Sequence, residues 1–331
     1  VDNLNSAFIV GSYLRKELPI LNHRIRKAFK CGAQINQVNP KAFDFNYKIA
    51  NSAINSESFT LELASVAKAA IEGLQQTEQA WLSDVEVTDT HRAIVDSLKS
   101  AENAAIMVGQ ISQTHSHYGL IKKLSTIIAN ATGASLNILP MSANEVGAHL
   151  VNFLPVKGLN ASEMFDSKLK AFINFGIEPE FDSIHGEKAL SAMKNAEFVV
   201  NFASFDSETQ REYADVLLPL ATFVETAGTF VNANGLKQSF KMSVEPKGEA
   251  KAGWKVLRVL GNMFELDGFD QTHSNQVLAE VLDNRASSID YSLLESTLNS
   301  SNESYSIVAP YSIDGIVRRS PSLQATPDAS A

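Results

Sequence analysis

Cysteine is all but missing. Cys31 is the sole thiol among 331 residues, which excludes an intramolecular disulfide, cysteine-held iron–sulfur clusters and zinc sites built on two or four cysteines. No apolar run approaches the roughly 18 residues of a membrane-spanning helix. Cations are scarce: 28 Lys and Arg face 37 Asp and Glu, a net charge of −9. A basic nucleic-acid surface is therefore not expected. No two of the 17 glycines stand two positions apart, so the Gly-x-Gly turn that lets backbone approach a dinucleotide pyrophosphate is missing. Gly248 and Gly253 have the spacing of a phosphate loop, but Trp254 stands where its lysine is needed. No Gly-x-Ser-x-Gly elbow offers an acyl-transfer nucleophile. The chain opens on Val1, with no signal-peptide pattern ahead of its first apolar run, and reads as a piece of a longer chain from a reducing compartment.

What is present is apolar and periodic. Hydrophobic residues make up 44% of the chain, enough for sizeable cores. Ala7-Phe8-Ile9-Val10 reads as a strand ending at Gly11. Pro19 opens a helix carrying Ile20, Leu21, Ile25 and Ala28, Gly32 stops it, and Gln34 to Val38 is the next strand. That makes a parallel βαβ unit. Residues 40 to 59 read as loop, Leu61 to Gly73 as a helix, and a stripe of Ile94, Val95 and Leu98 marks another from Thr88 or Asp89, with a boundary zone around Trp81. Strands over Ala104–Val108, Ser135–Leu139, Leu169–Phe175, Phe198–Ala203 and Asp215–Leu218 alternate with helices over Ser116–Asn130, Glu187–Asn195 and Glu208–Tyr213. This order implies α/β layers around parallel sheets. Thr229–Val231 and Gln238–Met242 flank a turn at Asn232 to Gly235, and helices follow over Trp254–Phe264, Asn275–Leu282 and Tyr291–Leu298. The expected division is an α/β subdomain over 1–95, a second over 96–265, and helical segments with a tail over 266–331.

Candidate chemistry is sparse. The loop from Gly109 to His117 leaves a strand end and enters a helix, a place that can bind anions through free N–H groups and the helix dipole. Capping by Thr114 or Ser116, with His115 and His117 in solvent, accounts for the same residues. His23, Arg24, Arg26, Lys27 and Lys30 make the first helix basic toward its C-terminus, as a solvated face complementing the dipole. Glu178, Glu180, Glu208 and Asp215 lie near strand ends, available for acid–base work or for capping. With one cysteine and scattered histidines, no metal site is expected. In the tail, Ile313, Ile316 and Val317 form a short stripe too small to hold a free helix. Residues 311–319 are therefore expected to pack on protein, with Arg318 or Arg319 meeting a carboxylate, while the stretch after Pro321 is solvated.

One stretch is more specific: Ala214-Asp215-Val216-Leu217-Leu218-Pro219, then Phe223, Glu225, Gly228-Thr229-Phe230-Val231-Asn232 and Gly235-Leu236-Lys237-Gln238. It resembles the ADVVLP strand and GTFxN…GRxQ loop of the molybdopterin oxidoreductase superfamily. Within that superfamily, three further stretches resemble the large iron–sulfur subunits of respiratory NADH:quinone oxidoreductase, the G subunit of bacterial complex I: Glu17 to Ala28, Ala143 to Ala148, and Asp314 to Pro321. The resemblance implies Rossmann-like parallel-sheet layers of the formate dehydrogenase-like fold. It also implies scaffolding within the peripheral arm, on the cytoplasmic side of a bacterial inner membrane. The partners would be other complex I subunits, with no nucleic acid and no membrane insertion. Through those subunits electrons pass from NADH to quinone.

Departures from the family pattern bear on the cofactor. Members carry glycine followed by Asn-Pro at strand ends where this chain has Gly11-Ser12-Tyr13-Leu14 and Gly176-Ile177-Glu178-Pro179, and Leu236 replaces the arginine of GRxQ. Amide and guanidinium donors are lost there, and Glu178 would repel a phosphate. Gly11, Ser12, Gly109, Gly176, Glu178, Gly228 and Asn232 are thus read as vestigial pterin-loop positions. Molybdopterin is expected to be lost and no residue to be catalytic, with 2Fe-2S and 4Fe-4S clusters belonging to an upstream part. The alternatives are a fragment of an active molybdenum enzyme of the formate dehydrogenase or nitrate reductase type, or a module binding an anionic metabolite at the Gly109–His117 loop.

Overall fold

Strand β1 (Ser6–Val10) is buried at all five positions. Only a strand covered on both faces tolerates so unbroken an apolar run, and β1 lies in the middle of a five-stranded parallel sheet. The computed structural model describes residues 1–72, 80–155, 157–283 and 303–330. These form two compact units, one of residues up to Met141 with 303–310, the other from Ser142 to 283 with 311–330.

In unit 1, β1 is followed by α1 (Leu14–Glu17), α2 (Pro19–Lys30), β2 (Gln34–Asn39), β3 (Asn51–Ile54), α3 (Phe59–Ile71), α4 (Asp89–Lys99), β4 (Ala104–Val108), α5 (Gln110–Gln113), α6 (Tyr118–Thr132) and β5 (Ser135–Ile138). The sheet order is β3-β2-β1-β4-β5, parallel throughout. Alternate residues of β1 serve opposite cores. Phe8 and Val10 meet Leu63, Ile94, Leu98 and Leu124 on one face, while Ala7 and Ile9 meet Leu14, Ile25 and Ile35 on the other. Gly133 ends α6 in the left-handed conformation, φ 75°, as a C-terminal glycine should. The order reverses between β1 and β4, and the crevice outside the carboxyl ends of those strands is where such sheets place ligands.

Two expectations change here. Residues 51–54 are strand rather than loop, because this polar segment needs only its ladder with β2 at the sheet edge. The chain divides at Met141/Ser142 and not near residue 95, because β4 and β5 complete the sheet that β1 begins.

Unit 2 contains α7 (Glu145–Leu150), α8 (Ala161–Asp166), β6 (Ala171–Phe175), α9 (Pro179–Asp182), α10 (Gly186–Asn195), β7 (Phe198–Ala203), α11 (Glu208–Tyr213), β8 (Val216–Pro219), β9 (Gly228–Val231), β10 (Lys237–Phe240), α12 (Gly253–Met263), α13 (Ser274–Asp283) and α14 (Pro321–Gln324). Strands β6-β7-β8 form a parallel sheet over a small core of Phe172, Met193, Val199 and Tyr213. β9 and β10 form the expected antiparallel pair. The expected helix Tyr291–Leu298 lies outside the described residues. Among the described residues of 266–331, α13 and 311–330 join unit 2 and 303–310 join unit 1. The tail after Pro321 carries α14 and a 3₁₀ turn at Pro327–Ser330, and none of residues 321–329 is buried. Among the described residues no helix is long and apolar enough to cross a membrane.

Candidate functional site

At the carboxyl ends of β1 and β4, the backbone converges on one carboxylate. Glu17 Oε2 accepts hydrogen bonds from Ser12 Oγ at 2.6 Å and from the Gln110 N–H at 3.1 Å, and Oε1 accepts from the Tyr13 N–H at 2.6 Å. Burial pushes the Glu17 carboxyl above the usual carboxylate range, against those three bonds. The Ser12 N–H is taken by Asn39 Oδ1 at 2.8 Å. Gly11 has φ 53°, and a Cβ there would lie 2.1 Å from Ser112 Oγ; a Cβ on Gly109 would lie 2.2 Å from that of Ser12. Gly11, Ser12 and Gly109 are thus brought together, and the close approach of two strand ends already requires both glycines.

The loop after β4 departs from the capping account of its residues. His115 is buried rather than solvated. Neither Thr114 nor Ser116 caps α6, whose N-cap position is His117: Thr114 ends α5, its hydroxyl donates to the Ser306 carbonyl at 2.7 Å, and the Ser304 N–H donates to Ser116 Oγ at 3.2 Å. A carboxylate from the chain itself, Glu303, lies 3.4 Å from His115 Nε2.

In unit 2, Gly176 (φ 68°) turns the chain out of β6, and Glu178 follows with 8% of its side chain exposed. The Arg319 guanidinium grips both Glu178 oxygens, one at 2.9 Å. Arg318 Nη2 lies 3.1 Å from Glu178 and 2.8 Å from Asp182, and Gln210 Nε2 donates to Glu178 at 3.2 Å. Burial opposes ionisation of Glu178, but the Arg319 bonds and the charges of both arginines outweigh it and hold this carboxyl below the usual range. The guanidinium groups also stack, Arg319 over Phe205 at 4.3 Å and Arg318 over Phe181 at 5.0 Å. The tail meets a carboxylate as its sequence suggests, and Ile313 to Ile316 wall a cavity of about 380 Å³ beside Gly176 and Glu178.

The remaining candidates make contacts within the chain. Asn232 Oδ1 accepts from the N–H groups of Asn234 and Leu236 at 2.9 and 3.0 Å, which ties the β9–β10 turn. A Cβ on Gly228 would come within 2.9 Å of the Phe240 ring. Glu180 accepts from the Tyr213 hydroxyl at 3.2 Å and Asp215 from the Val199 N–H at 2.7 Å, while Glu208 lies in the first turn of α11. The basic residues of α2 are exposed except for Arg26, which is half-buried. No group of three or more His, Cys, Asp or Glu among the described residues could hold a metal ion. Glu17, Thr60 and Glu303 carry no signal in the sequence as site residues; each acquires its partners only through folding.

Comparison with known proteins agrees with this architecture. The family model described as molybdopterin oxidoreductase matches residues 1–263. The chain is 22% identical to the NADH-ubiquinone oxidoreductase 75 kDa subunit of Reclinomonas americana, over 83% of this chain and 36% of that protein. It is 27% identical to the assimilatory nitrate reductase catalytic subunit of Bacillus subtilis, over 61% of this chain and 30% of that protein. The chain thus spans about a third of the length of these relatives. Acetylene hydratase from Pelobacter acetylenicus shares the fold, with a TM-score of 0.59 at 14% identity, covering 85% of this chain and 50% of that one.

Proposed function

The chain belongs to the molybdopterin oxidoreductase family, and from that premise we propose that it is a cofactor-free scaffolding portion of the large iron–sulfur subunit of respiratory NADH:quinone oxidoreductase. The observation that carries this reading is that carboxylates of the chain itself sit at strand ends and occupy the donors that reach them. A pterin nucleotide brings phosphates that need N–H, hydroxyl and guanidinium donors. Glu17 takes those of Ser12, Tyr13 and Gln110, and Glu178 takes those of Arg318, Arg319 and Gln210. Such a donor set does not fit a polyanion, and no step is assigned to one. In this reading the iron–sulfur clusters belong to another part of the subunit, the partners are peripheral-arm subunits, and the place is the cytoplasmic side of a bacterial inner membrane. Similarity to the Reclinomonas subunit over most of the chain supports the assignment.

A second reading, a portion of an active molybdenum enzyme, is favoured by the nitrate reductase similarity. It also draws on a groove of about 1370 Å³ in unit 2, lined by Lys237, Lys241, Lys251 and Lys255 beside Gly228. Elemental analysis of the purified chain separates the two. Scaffolding predicts neither molybdenum, tungsten nor iron in stoichiometric amount, and near-stoichiometric molybdenum or tungsten ends it. Scaffolding also predicts no heat of NADH binding in calorimetric titration; a dissociation constant in the low micromolar range contradicts it.

A further inference from the structure

Helix α3 begins without the side-chain cap its own sequence could offer: Ser58, at the cap position, makes no capping hydrogen bond. The Leu61 N–H bonds to the Ser58 carbonyl, but the Thr60 donors are met from far along the chain. The Thr60 N–H lies 3.3 and 3.4 Å from the two oxygens of Glu303, and the Thr60 hydroxyl donates to the same carboxylate. His115 Nε2 faces it at 3.4 Å, with its side chain wholly buried and that of Glu303 only 4% exposed.

The tautomer of His115 is set locally. Its Nδ1 accepts a hydrogen bond from the His117 N–H at 3.0 Å, which leaves the ring proton on Nε2, toward Glu303. Two donors thus bond one planar anion, an amide N–H at a helix N-terminus and a hydroxyl, and the buried Nε2 of His115 faces it at 3.4 Å without another hydrogen-bond partner among the described residues. Burial opposes the charge on Glu303, yet the facing His115 ring and the Thr60 bonds outweigh burial and hold its carboxyl below the usual range. Flat rings form the walls, with Phe59 5.6 Å from His115 and Tyr305 stacked on it at 6.3 Å and 7°. Ser304 and Ser306 tie the segment down through hydrogen bonds to Ser116 and Thr114.

We propose that Thr60, the first turn of α3 and His115 form a carboxylate-binding site whose resident ligand is the chain's own Glu303, so that residues 303–306 act as a tethered occupant replaceable by a free monocarboxylate. The site lies wholly within unit 1 and makes no use of molybdenum, so elemental analysis judges the scaffold reading separately.

The test is chemical rescue of Glu303→Ala by acetate, read as thermal stability, with chloride at equal ionic strength as control. The site predicts a saturable rise in melting temperature, about 3 °C at ten times the dissociation constant. The rise should vanish in Glu303→Ala/His115→Ala and in Glu303→Gln, whose amide keeps the site filled. A response equal to that of chloride, or one that survives loss of His115, overturns the proposal. Phosphate in place of acetate tests the class: an equal or greater rise with phosphate overturns the carboxylate assignment. If Glu303→Ala does not fold alone, its refolding yield with acetate becomes the readout. A yield that climbs saturably with acetate and not with chloride supports the site, and an indifferent yield overturns it.

Discussion

Glu17, Glu178 and Glu303 are three buried carboxylates whose surroundings push them in opposite directions. Glu178 and Glu303 ionise more easily folded than unfolded, because arginine in one case and His115 with Thr60 in the other outweigh burial. Each therefore adds stability that is complete above the unfolded carboxyl value of about 4.3 and is lost as pH falls through its depressed folded value. Glu17 is the reverse: burial dominates, its folded value is raised, and the stability it lends below the unfolded value is lost as pH rises through the folded one. Urea titrations across pH should show this. Glu178→Gln flattens the acid limb below pH about 4.3, whereas Glu17→Gln removes a decline that begins above it. Parallel curves for the two variants would contradict the assignments. Glu17→Ala should also cost unit 1 about 1–3 kcal/mol for each buried donor left without an acceptor, measured as a shift in its urea midpoint.

Among the elements, the segment Ile313 to Arg319 shows how a short piece of chain is ordered by docking. Too short to be helical alone, it adopts a 3₁₀ turn at Val317–Arg319 whose two arginines meet Glu178 and Asp182. Arg318→Ala/Arg319→Ala strands a buried carboxylate and should destabilise unit 2 by about 3–5 kcal/mol, with Glu178→Gln on that background restoring part of the loss. A double-mutant cycle by urea denaturation measures the coupling, and none would remove the account of the tail. Much at this scale can be read from sequence, because it is local. The βαβ unit through Asn39, the strand Ala104–Val108, the Gly133 stop and the β9–β10 turn follow from apolar periodicity and turn residues. Strand β3 does not, because Asn51 and Ser52 have no apolar pattern and the ladder with β2 decides. One donor to Glu17 is hidden for a related reason: Gln110 is 93 residues away in sequence and arrives only when β4 lies beside β1.

For the whole molecule, the C-terminal segments serve both units, 303–310 closing on unit 1 and 311–330 on unit 2. Deleting residues 310–331 should leave the α/β cores folded, with far-UV circular dichroism little changed, because water reaches Glu178 once its cover is gone. The same deletion should weaken assembly with peripheral-arm subunits in reconstitution; undiminished assembly would remove that docking role. The discontinuity of unit 1 also has a consequence for biosynthesis. The ribosome releases all five strands of its sheet well before it makes Glu303, so a nascent chain stalled inside unit 2 carries a finished sheet with an open first turn of α3. Closing that turn waits until the strands of unit 2 have also been made, so unit 1 stays unfinished while a second sheet is being translated.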